Sequence, residues 1–123
     1  MIKIETTNAP GAIGPYSQGF IVNGFVFTSG QIPVNPADGQ VQTEITAAAH
    51  QSLKNIGAIL KEAGMTYDNV VKTTVLLADI ADFKAVNEVY AEYFTGDKPA
   101  RACYQAAALP LGVKVEIEAI AVK

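Results

Sequence analysis

The chain has no tryptophan and only one cysteine, one histidine and one arginine among its 123 residues. Each scarcity closes off a class of function. A lone cysteine allows neither an internal disulfide framework nor a cysteine metal cluster. Nine basic residues against twelve acidic ones leave a net charge of -3. With no Lys/Arg block anywhere, that balance argues against nucleic acid as the main partner. No apolar run approaches the length of a membrane span. The stretch Met1–Pro10 lacks the long apolar core of a signal peptide, so a cytoplasmic location is expected. Linker-like tracts and internal repeats are also missing, which predicts one domain over residues 1–123.

What the chain does have is apolar character. Half its residues are hydrophobic and its mean hydropathy is +0.21. That is greasy for a small soluble monomer and gives a first hint of subunit association.

Residues 2–6 alternate weakly, as a short strand does. The run Tyr16 to Val22 meets Asn23-Gly24, a strong hairpin signal, and Phe25 to Ser29 is its partner. A polar loop with an Asp38-Gly39 turn follows. Ile45, Ala49, Leu53, Ile56, Leu60 and Ala63 recur at three- and four-residue steps and predict a helix over 43–63. Thr43 is its expected N-cap and Gly64 its C′ residue, while Gly57 at mid-helix suggests close approach to the sheet. Val70 to Leu77 reads as a central strand. A second helix, capped by Asp79 or Asp82, shows the stripe Phe83, Val86, Tyr90 and Phe94. Residues 99–109 and 113–122 read as two strands joined through Pro110–Gly112.

These elements predict an α/β protein of the two-layer α+β kind, a mixed sheet of about six strands with two helices on one face. In the last strand, Val113, Val115, Ile117, Ala119 and Ala121 form a continuous apolar face suited to helices. The opposite face mixes Lys114, Glu116 and Glu118 with Ile120 and Val122. A partly greasy face with no helix left to cover it predicts a closed homo-oligomer.

Arg101, Cys103 and Gln105 share a strand parity and so one face, with Glu116 alongside if the two last strands pair. An arginine fork matches a small carboxylate, but an Arg–Glu pair stapling the sheet accounts for the same residues. Scarcity favours the ligand: the chain's one arginine sits between alanines in an apolar strand. Cys103 reads as a pocket wall, since the lone His50 lies within the first helix without metal-ligand spacing. Glu116 suits a general acid/base or a water holder. Glu118 and Lys72 read as solvated strand residues. Tyr16 after Gly14-Pro15, and Ser29-Gly30 at a strand end, mark places where backbone approaches a ligand. No phosphate loop and no serine-nucleophile elbow is present.

Several long stretches carry a more specific signal: N-A-P-x-A-I-G-P-Y-S-Q-G at 8–19, T-S-G-Q-I-P at 28–33, V-V-K-T-T-V at 70–75, V-N-x-x-Y at 86–90, P-A-R-x-C at 99–103 and V-E-I-E-A-I-A at 115–121. Together they closely resemble the reactive-intermediate deaminase (RidA, also called YjgF) family across essentially the whole chain. The resemblance implies a chorismate-mutase-like fold and a homotrimer with ligand pockets between subunits. It further implies hydrolysis of reactive 2-enamino or 2-imino acids, such as 2-aminoacrylate and 2-aminocrotonate, to 2-keto acids and ammonia without metal or cofactor. By the same resemblance, Arg101 binds the substrate carboxylate and Glu116 positions or activates water. Cys103, Tyr16 and Ser29 line the pocket, and Gly30 contributes backbone. The likeness breaks at Tyr104, Gln105, Ala106, Ala108 and Leu111, beside the expected site. Two rival functions are a non-catalytic 2-keto-acid-binding regulator and a ribonuclease or translation inhibitor. The acidic pI and the lack of a basic or aromatic-rich groove argue against the second rival.

Overall fold

In a computed structural model, which describes residues 1–123, Asn23 and Gly24 both take positive φ, at 50° and 79°. They make the tight turn between β2 (Gly19–Val22) and β3 (Phe25–Thr28), and β1 (Ile2–Ile4) pairs antiparallel with β2. Helix α1 (Ile45–Glu62) leads to β4 (Val70–Leu77), α2 (Phe83–Tyr93), β5 (Ala100–Gln105) and β6 (Val115–Val122). Short 3₁₀ turns lie at Tyr67–Asn69, Ile80–Asp82 and Pro110–Gly112.

The sheet has six strands in the order β1-β2-β3-β6-β4-β5. Only β4–β5 is parallel, as the intervening α2 requires. The strands at 99–109 and 113–122 are therefore not a hairpin. β4 lies between them and pairs with both. An eight-residue β-branched strand, apolar on both sides, gains more in the middle of a sheet than at its edge.

Both helices lie on one face. Val26 of β3, Val75 and Leu77 of β4, and Val115, Ile117, Ala119 and Ala121 of β6 are buried there against Leu53, Ile56, Leu60, Val86 and Val89. Ile45 and Ala63 close the ends of the α1 stripe half-buried, and Phe83 is 38% exposed at the start of α2. The other face carries Phe25 and Phe27, 40% and 45% exposed, opposite Val122 and Ile120. It is as greasy as the sequence suggests, and nothing in the chain covers it.

Three local readings change. Glu44, not Thr43, caps α1, because its carboxylate accepts from Thr46 N at 3.0 Å and Ala47 N at 2.9 Å. Asp79 caps the 3₁₀ turn before α2 by accepting from Ala81 N, and Asp82 makes no side-chain cap bond. Gly57 makes room for the Tyr67 ring rather than for the sheet, and Tyr67 donates its hydroxyl to Leu53 O at 2.7 Å.

Alanine for glycine inside a helix ordinarily stabilises by about 1 kcal/mol. Here an added Cβ would stand 2.7 Å from Tyr67 Cζ. Gly57→Ala is expected to destabilise by about 1–3 kcal/mol, read as a lower urea midpoint at unchanged slope. A raised midpoint would show that the ring yields freely.

Candidate active site

The open face has a cleft beside the middle of β6. At Thr28 the ladder between β3 and β6 gives out, and the Thr28 hydroxyl accepts the Ala119 N–H at 3.0 Å in its place. Pairing resumes at Gln31, whose backbone exchanges bonds of 2.7 and 3.1 Å with Ile117. Ser29 and Gly30, between these points, are left outside the ladder. Gly30 lies so close to Glu116 that a Cβ would meet the carboxylate, so a larger residue there would push the Glu116 side chain out of its present position.

The segment before β2 supplies the other wall. Gln18 is buried and acts as a hub: its Oε1 accepts from Thr6 N at 2.7 Å, and its Nε2 donates to the carbonyls of Thr6, Ala9 and Pro10. Ser29 N donates to Gln18 O at 2.8 Å, and the Ser29 hydroxyl donates to Ser17 O. That hydroxyl proton is engaged, which suits a pocket lining rather than a nucleophile. Tyr16, half exposed, stands in the same wall. A cleft of about 480 Å³ results, lined by Ile13, Tyr16, Ser29, Gly30, Ile32, Pro110, Glu116 and Glu118. Asn55 of α1 is buried and donates to Ile32 O and Val34 O, holding the far side of the loop.

Arg101, Cys103 and Gln105 are elsewhere. They pair across with Thr73, Val75 and Leu77, which are buried on the helix face, so all three face α2 and not the open side. Glu116 pairs with Leu76, one residue out of phase and on the opposite face. Arg101 and Glu116 are thus two strands apart and back to back. An intrachain Arg–Glu staple is excluded, since the two ion pairs within the chain are Lys3–Glu5 and His50–Glu92.

Arg101 is held by neutral groups. Its Nη1 donates to Asn87 Oδ1 at 2.8 Å, and its guanidinium lies 4.9 Å from the Tyr90 ring centroid and 5.4 Å from that of Phe83. Burial pushes the Cys103 thiol up, with Arg101 opposing, so the thiol is not activated toward thiolate. Gln105 Oε1 accepts from Ile80 N at 2.9 Å and fastens the end of β5 to the turn before α2. His50 Nδ1 lies 2.7 Å from the Tyr93 hydroxyl, in the seam between the helices.

Of the residues singled out from sequence, Tyr16, Ser29, Gly30 and Glu116 come together in the cleft. Arg101 and Cys103 form a second group that the single chain does not bring to them. Asn87, Gln18 and Asn55 were missed. Asn87 had a signal, because it stands three residues before Tyr90 and hence on the same face of α2. Gln18 and Asn55 act on loop carbonyls far away in sequence and carried no local sign.

Burial, and then the neighbouring Glu118, raise the Glu116 carboxyl above its ordinary value. In that window the folded chain keeps a proton the unfolded chain has released. Ionisation therefore removes stability as pH rises through the raised value, and the effect vanishes below the unfolded value. Glu116→Gln, which has the shape of the neutral acid, is expected to raise Tm at about pH 7 and to lose that advantage by about pH 4. The same Tm difference at both pH values would contradict the shift.

Comparison with known proteins agrees in sequence and in shape. A family model described as Endoribonuclease L-PSP matches residues 6–123. Human 2-iminobutanoate/2-iminopropanoate deaminase is 56% identical over 121 residues, covering 98% of this chain and 88% of the human protein. The Escherichia coli K12 protein of the same name is 50% identical over 123 residues, covering 98% and 96%. The crystal structure of E. coli TdcF with bound serine has a TM-score of 0.97 at 47% identity, covering 100% of this chain and 99% of that one. By sequence and by fold, this chain belongs to the RidA/YjgF family.

Proposed function

We propose that the chain is a hydrolytic deaminase of 2-enamino and 2-imino acids, the activity for which its human and E. coli relatives are named. One observation in the structure carries the reading. Arg101 is an oriented guanidinium without a carboxylate partner, which is what a small anionic ligand needs. Glu116, whose carboxyl is raised above its ordinary value by burial and then by Glu118, fits a group that exchanges a proton with water.

In this proposal the active enzyme is a cytoplasmic homotrimer of single-domain subunits. Arg101 and Cys103 of one subunit face Tyr16, Ser29, Gly30 and Glu116 of its neighbour. The uncovered Phe25, Phe27, Ile120 and Val122 support such an assembly. Arg101 takes the substrate carboxylate through its fork. The enamine tautomerises, gaining a proton at C3 and losing one from nitrogen, to the imine, whose C2 is electrophilic. A water beside Glu116 adds its oxygen to C2 and gives a proton to the carboxylate. Glu116 returns that proton to nitrogen, giving the carbinolamine. It then takes the carbinolamine hydroxyl proton and passes it to the same nitrogen as C2=O forms and the C2–N bond breaks, so ammonia leaves the 2-keto acid. Because the uncatalysed hydrolysis is already easy, alignment of anion, imine and water supplies most of what is needed.

No helix is long and apolar enough to cross a membrane, and the proposed substrates are small anions. The family model's description raises the ribonuclease alternative. A cleft lined by Glu116 and Glu118, with no lysine or arginine in its lining, repels a phosphate backbone. The keto-acid-binding regulator shares Arg101 with the deaminase, and turnover separates the two.

The test supplies 2-aminocrotonate generated in situ and follows formation of 2-oxobutanoate. Arg101→Ala is expected to lower kcat/KM by about 100-fold, the value of two charge-assisted hydrogen bonds. An unchanged kcat/KM would remove Arg101 as the carboxylate anchor. Saturable 2-oxobutanoate binding without any turnover would favour the regulator.

A further inference from the structure

The surroundings of Arg101 are unusual for an arginine on an edge strand. Long charged side chains in such places sample many rotamers. This one is held on three sides, by the Asn87 amide oxygen at 2.8 Å and by the ring faces of Tyr90 and Phe83. All three holders come from α2, spaced four and three residues apart, so they form one face of a single helix.

The cradle is itself braced. Tyr90 is buried, its hydroxyl lies 2.7 Å from Thr73 Oγ1, and its ring centroid lies 4.5 Å from that of Phe94. Thr73 is the residue of β4 paired with Arg101. The contacts therefore close a ring through Arg101, Tyr90 and Thr73, fixing the helix face against the strand that bears the arginine.

Every member of this cradle is uncharged. An aspartate at position 87 could accept the same hydrogen bond, but it would cancel the guanidinium's charge and compete with an incoming anion. Asparagine offers the oxygen without the charge. It engages one of the five guanidinium N–H groups and leaves others for a two-oxygen ligand.

We propose that Asn87, backed by the rings of Phe83 and Tyr90, is a positioning residue that presets Arg101 for an anion while preserving its charge. This rests on the reading of Arg101 as the carboxylate anchor. The consequence is specific: changes at Asn87 act on ligand binding through Arg101, and an acidic residue there is worse than none.

The experiment uses the full-length protein, with calorimetric Kd for 2-oxobutanoate and steady-state kinetics on 2-aminocrotonate. Asn87→Ala is expected to raise Kd and KM about tenfold with little change in kcat, the worth of one hydrogen bond to a charged group. Asn87→Asp should raise both further, although it is the closer match in shape. In an Arg101→Ala background neither change should add anything, a result a purely structural role would not give. Wild-type KM and Kd in Asn87→Ala and Asn87→Asp, with binding lost in Arg101→Ala, would overturn the positioning role and leave the anchor standing. Wild-type behaviour of Arg101→Ala would instead overturn the anchor and this inference with it. Should Asn87→Asp fold poorly by thermal melt, Asn87→Ala and its double variant still decide the matter.

Discussion

The insertion of β4 between β6 and β5 governs the rest of the structure. A parallel partner for β4 requires a crossover, and α2 is that crossover. The same pairing delivers Arg101 to the edge of the sheet with its side chain against α2, while Glu116 points from the middle of the sheet in the other direction. One ladder thus decides both what surrounds the arginine and how far it stands from the glutamate. Because the two are back to back, a reaction that needs both draws them from different copies of the chain.

The cleft around Glu116 depends on a smaller event of the same kind. Where β3 leaves β6, a side-chain hydroxyl replaces one ladder bond and a two-residue gap opens. Ser29 and Gly30 occupy it, and the glycine lets the Glu116 carboxylate lie against the backbone there. Gln18 then ties the preceding loop together through four hydrogen bonds. The polar wall is built from loops, but each loop is pinned to the sheet or to α1, so the site has rigid supports.

Much of this was legible in the sequence, and the failures have a common cause. Period-3.6 stripes located both helices, the Asn23-Gly24 turn located the first hairpin, and counting helices against faces exposed the greasy side. Parity correctly grouped Arg101 with Cys103 and Gln105. What parity cannot supply is which strand lies next to which. Assuming that consecutive strands pair placed Glu116 beside Arg101 and assigned the arginine to the wrong face. Gly57 failed likewise, since the ring that needs its space arrives from Tyr67, ten residues further on. Local pattern identifies elements. Their neighbours are settled by long-range pairing, and Gln18, Asn55 and Asn87 act at that range.

A site divided between copies has a direct test in subunit complementation. Arg101→Ala and Glu116→Gln proteins, each strongly impaired alone, are mixed at equal concentration and allowed to exchange subunits. If each site joins Arg101 of one subunit to Glu116 of the next, random exchange regenerates intact sites, and about one quarter of the wild-type deaminase activity is expected. A fully exchanged mixture no more active than its parents would contradict a shared site and place both residues' function within one chain.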